Sequence, residues 1–120
     1  TAIWWAGGAS QQIRILGQSG FNGNINDLYA PTGLLINGRP AYKGVANSMY
    51  LLWAPSYIEG ASWVFRTDLA VGSSSGVQGY NVEDQATPDL LTGSWTVWNE
   101  NAWVVVAALQ NVLADSCYNW

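Results

Sequence analysis

The sequence predicts an all-β fold: a compact antiparallel β sandwich or small barrel of about six to eight strands. Three observations lead there. Asn37-Gly38 lies between the apolar run Leu34-Leu35-Ile36 and a second run through Pro40-Ala41-Tyr42. Asn-Gly tolerates the positive φ angles of a tight type I′ turn, so residues 27–43 read as a hairpin. Short stretches rich in β-branched and aromatic residues recur along the chain, with Gly, Pro, Asn and Ser between them. Around Trp95 to Val106 the residues fit the period-two pattern of a strand pair.

The elements follow in order. Residues 1–6 are apolar with two adjacent Trp, and Gly7-Gly8 ends them. Residues 12–17 alternate polar and apolar, with Ile13 and Ile15 inward. Residues 18–26 are a Gly/Asn/Ser loop before the hairpin. Pro31 and Pro40 fall in its two arms, and a residue without an N–H belongs at an edge, a bulge or a strand start. Residues 48–53 are a strand, 54–61 a loop, and 62–67 the returning hairpin partner. Residues 72–79 read as a flexible loop, 80–82 as a brief strand and 83–89 as a turn. The last hairpin joins 94–98 to 103–108. Residues 107–114 alone have helical spacing, through Ala108, Leu109, Val112 and Leu113. The expectation there is a strand continuing to about Leu109, then an irregular tail or short helix.

Composition narrows the function. The chain has 120 residues, one domain by length. Only 10% are charged, against about 25% in an average chain. Such a surface is weakly protected against association. It fits an extracellular or cell-surface protein, a lectin or an assembly subunit. Four cations (Arg14, Arg39, Lys43 and Arg66) stand against eight acidic residues. They cannot track a phosphate backbone or an anionic bilayer, so no nucleic-acid partner is expected. No apolar run approaches the ~20 residues of a membrane span, so no membrane insertion is expected. The sequence starts at Thr1 without Met or signal peptide, which fits either a processed mature form or a fragment of a longer chain.

Catalysis finds little material. There is no His, hence no Ser-His-Asp or Cys-His arrangement. The single Cys117 excludes a thiolate zinc site, and is either a free thiol or a bridge to another subunit. Glu83-Asp84 are adjacent, so in an extended segment they point apart rather than flank a glycosidic bond. Glu83, Asp84 and Asp89 share a loop without calcium-type spacing. No enzyme activity, metal or cofactor is expected.

Binding finds more. Trp98 and Trp103 flank the turn Asn99-Glu100-Asn101-Ala102. A symmetric hairpin sets Trp98 opposite Trp103, Val97 opposite Val104 and Trp95 opposite Val106. Trp95, Val97, Val104 and Val106 then form the core face. The Trp98–Trp103 pair lies outside, either as a stabilising cross-strand pair or as a platform for a sugar ring or partner protein. Trp53 and Trp63 flank the 54–62 loop, and either pack beneath it or line a groove with Tyr57. Trp4 and Trp5 point to opposite faces if extended, as an edge strand of their own domain or as a donor to another sheet. With Cys117 and Trp120 in the 107–120 tail, they are the candidate assembly residues.

The order of motifs resembles a Trp-rich β domain of large, mostly uncharacterised algal, oomycete and protist proteins, where it often occurs in tandem. The matching segments are Ile13-Arg14-Ile15-Leu16-Gly17, Asn26-Asp27-Leu28-Tyr29, Asn37-Gly38-Arg39-Pro40-Ala41-Tyr42, Tyr50-Leu51-Leu52-Trp53, Ser62-Trp63-Val64 and Gly93-Ser94-Trp95-Thr96-Val97-Trp98. The pattern favours Gly where this chain has Asp27. The resemblance covers about residues 12–106, leaving 1–11 and 107–120 as candidate assembly segments. It implies a β module for display or assembly rather than chemistry. The expected function is self-association with copies of itself, as in a filament or coat. The alternative is a glycan-binding, lectin-like module, and the second alternative a glycosidase.

Overall fold

The computed structural model describes residues 11–69 and 76–114. Trp4, Trp5, Cys117 and Trp120 lie outside the described residues. Nine strands are present among the described residues: β1 (Gln12–Leu16), β2 (Asp27–Ile36), β3 (Arg39–Gly44), β4 (Tyr50–Ala54), β5 (Ser62–Arg66), β6 (Val77–Asn81), β7 (Trp95–Trp98), β8 (Trp103–Val106) and β9 (Gln110–Ala114). They form one sheet in the order β8-β7-β6-β5-β4-β3-β2-β1-β9, curled into a half-barrel. The fold is therefore all-β and antiparallel; in place of the expected sandwich or small barrel of about six to eight strands, the described residues form one curled half-barrel sheet of nine.

The sequence explains the meander from β1 to β8. Asn37 and Gly38 have φ of 54° and 82°, the left-handed conformation that a type I′ turn needs. The Asn37 amide also donates to Trp53 O at 2.9 Å, tying the turn to β4. In β2 and β3 the register shifts between Pro31 and Leu35. A bulge there removes the need for a ladder N–H at Pro31. Asp27, where the resembling pattern favours Gly, closes the following turn with its carboxylate. Its Oδ2 accepts from Ala46 N and Asn47 N, both at 2.8 Å.

Two segments differ from expectation. Strand β6 takes in part of the brief strand expected at 80–82 but begins at Val77, inside the expected loop. Gly79 sits between Phe65 and Val97 in register, and a Cβ there would come within 3.3 Å of the Phe65 ring. The missing side chain leaves room for Phe65 to lie 4.7 Å from Trp95. Residues 110–114 form β9, neither tail nor helix, and pair with β1 through Ile13–Leu113 and Arg14–Val112. A free strand edge offers this segment five paired residues, which an isolated short helix cannot match.

The ends of the sheet order are linked by residues 107–109 alone. All neighbours are antiparallel, so in a nine-strand order β8 and β9 run the same way. Three residues cannot carry the chain back along a strand. So β9 continues onward from β8 and crosses to the opposite edge. Asn111 secures the crossing. It accepts from Trp95 Nε1 at 2.8 Å and donates to Pro88 O and Leu91 O at 2.8 and 3.0 Å.

The core lies inside the curl: Ile13, Ile15, Tyr29, Tyr42, Leu51, Trp53, Trp63, Phe65, Trp95 and Val97 are buried there. A second cluster covers the outer face of β3 to β6, with Ala41, Leu52, Val64 and Val77 buried. Strand β5 is consequently buried on both faces, as its nearly continuous apolar run requires.

Candidate binding surface

The outer covering stops at β6. One row of outward residues runs Val64–Tyr80–Thr96–Val105 across β5 to β8. Val64 is fully buried at one end, while Val105 is 68% exposed at the other. Along this boundary four aromatic rings touch in series. Tyr57 meets Tyr80 at 5.1 Å, Tyr80 meets Trp103 at 5.2 Å, and Trp103 meets Trp98 at 5.4 Å. The contacts at Trp103 are edge-to-face, the arrangement that ring quadrupoles favour.

The expected β7–β8 register is borne out in every pair, including Trp98 opposite Trp103. Asn99 sets it: Asn99 N donates to Ala102 O at 2.9 Å. Its side-chain oxygen accepts from Asn101 N and Ala102 N at 3.0 and 2.8 Å. Trp95 and Val97 are buried, and Val106 packs against the core. Trp98 is half-buried and Trp103 is 40% exposed on the other face. The Asn22 amide donates to Trp98 O at 2.6 Å and holds the strand end.

The other expected binding residues separate. Trp53 and Trp63 are directly opposed across β4 and β5, 5.9 Å apart and buried inside the curl. The Arg39 guanidinium lies 4.0 Å over Trp53, and Trp63 Nε1 donates to Gln85 O. They line no groove with Tyr57, because Tyr57 belongs to the outer cluster. Burial, followed by the neighbouring charges and chiefly the nearby Tyr80, pushes the Tyr57 hydroxyl up to about 12. It stays a neutral hydrogen-bonding group at physiological pH. Tyr80 is the member of the strip that the sequence did not single out. Its place in register with Thr96, two residues before Trp98, is visible only in the sheet.

The acidic loop has structural employment. Glu83 Oε1 accepts from Gly93 N and Thr92 N, and Oε2 accepts from Gln85 Nε2. These bonds, with Gln85 contributing most, hold its carboxyl below the usual range, which suits an anion and not a proton donor. Asp84 pairs with Arg39 at 2.7 Å. Among the described residues no cluster of three or more His, Cys, Asp or Glu could hold a metal ion. No helix of the described residues is long and apolar enough to cross a membrane.

Strand β8 adds a second property. It is the last strand of the sheet order, and its sequence is Trp-Val-Val-Val. From Asn101 to Ala114 there is no charge, no Pro and no Gly, so the sequence guards that usually blunt an edge strand are missing from this segment. Comparison with family models, with curated proteins and with solved structures finds no match.

Proposed function

We propose that this chain is a non-enzymatic, extracellular β module that associates with copies of itself, as the subunit of a filament or coat. The observation that carries the reading is the β8 edge, uncharged and apolar, with Trp103 and Val105 exposed beside it. An unguarded edge strand recruits another strand through main-chain hydrogen bonds, and adjacent apolar side chains add burial. The low charge of the whole chain supports the same reading, since little repulsion opposes close approach. Val105→Lys places a charge on the exposed face without entering the core. Sedimentation velocity of the two proteins across a concentration series tests it. Wild-type chain is expected to form large species that the variant lacks. Identical distributions, or a wild-type chain that stays monomeric at all concentrations, would overturn the proposal.

The aromatic strip supports a second reading, a neutral glycan lying across Trp98, Trp103, Tyr80 and Tyr57. Glu59 and Arg66 act on Tyr57 at one end of the strip, while Tyr80, Trp103 and Trp98 meet ring to ring, which suits a ligand stacking through its C–H faces. Under this reading Trp98→Ala and Trp103→Ala lose glycan-array signal while remaining folded and monomeric. A glycosidase reading would need a proton donor, a role that Glu83, with its carboxyl held below the usual range, does not suit.

A further inference from the structure

We infer that β9 is exchanged between copies, each chain placing its residues 110–114 against the β1 edge of the next. This rests on the self-association reading and names the strand that performs it.

The connection is built for exchange. Because β9 continues onward from β8, the bend at Ala107, Ala108 and Leu109 alone decides whether β9 meets its own β1 or another. Within the described residues, that bend is closed by the Leu109 N bond to Val106 O at 3.2 Å. Ala107 and Ala108 are exposed. Neither Pro nor Gly nor a charge opposes straightening them. Straightened, residues 103–114 become one long uncharged strand.

β9 itself is lightly held. None of its five residues is fully buried, whereas its partner β1 buries Ile13 and Ile15. Among the described residues its attachment includes the five-residue pairing with β1, the three Asn111 bonds, the buried Leu109 at its start, and the Ala108 carbonyl packed on Gly17. A β9 arriving from a second copy makes every one of these contacts again. Only the bend differs, and a short hinge between otherwise identical contacts is the usual basis of strand exchange. Reciprocal exchange closes a pair. Passing each β9 forward to the next copy leaves an open end and makes a filament.

Two single-cysteine chains test this, both carrying Cys117→Ser. One has Arg14→Cys and the other Val112→Cys, positions directly paired between β1 and β9 and both exposed. Opposed residues of an antiparallel pair lie within disulfide range. The two are refolded together in equal amounts, oxidised and run on a non-reducing gel. Exchange predicts a covalent heterodimer holding up to about half the chains, well above the Arg14→Cys chain refolded alone. Full-sized assemblies with heterodimer only at that control level would overturn exchange and leave self-association standing. A chain that never assembles would overturn both. Should either chain fail to fold, the neighbouring pair Leu16→Cys and Gln110→Cys reads the same contact.

Discussion

Two aromatic groups occupy opposite faces of the same sheet, and their packing is nearly the same. Inside, Trp53, Trp63, Phe65 and Trp95 make ring contacts at 4.7 and 5.9 Å. Outside, Tyr57, Tyr80, Trp98 and Trp103 are 5.1 to 5.4 Å apart. Their polar atoms tell them apart. Trp63 Nε1 ends on Gln85 O and Trp95 Nε1 on Asn111. A buried indole N–H needs such an acceptor. Trp98 and Trp103 keep part of their surface in water. Ring contact alone therefore does not mark a core. The inner group is fixed by complete burial with satisfied donors, and the outer group keeps area to offer a partner.

Substitutions sharpen the contrast. Trp63→Ala is expected to have the largest effect, about 3–5 kcal/mol in a urea denaturation series, because it empties a fully buried site. Trp103→Ala removes two ring contacts on a 40% exposed side chain, and about 1 kcal/mol is expected by the same measurement. A loss above 3 kcal/mol at Trp103 would place the outer strip in the core and break the distinction. The smallest effect concerns neither group. Glu83 has a lowered pKa in the folded chain, so its contribution is present above the unfolded value of ~4.3 and is lost as pH falls through the folded value. Urea midpoints of wild type should drop more steeply below about pH 4 than those of Glu83→Gln. Parallel curves would show that this loop does not contribute.

What could be read from the sequence was local. The Asn37-Gly38 turn and the Trp98–Trp103 register rest on turn chemistry and period-two alternation within a few residues, and both appear as expected. Placing Trp98 outside followed from one comparison: its neighbours Trp95 and Val97 sit on an all-apolar face. The fate of β9 was not legible. Ala108, Leu109, Val112 and Leu113 have helical spacing, and the strand edge that overrides it lies near Ile13. The Gly/Ser-rich composition before Val77 hid the start of β6, because Gly79 reads as a breaker until its neighbours Phe65 and Val97 are known. A count of strands also leaves open whether they make two flat sheets or one curled one. That depends on the crossing at residues 107–109.

This crossing bears on the order of events during folding. Ile13 and Leu113 pair across a hundred residues of chain. Closing that loop costs about 2–3 kcal/mol more in chain entropy than closing a tight hairpin. The eight-strand meander can assemble from neighbouring segments, but the β1 edge waits for the last strand. Until it arrives, each molecule carries an open template at β1 and an unattached, uncharged strand at the far end. Protein concentration during that interval therefore governs whether a chain closes on itself or on its neighbour.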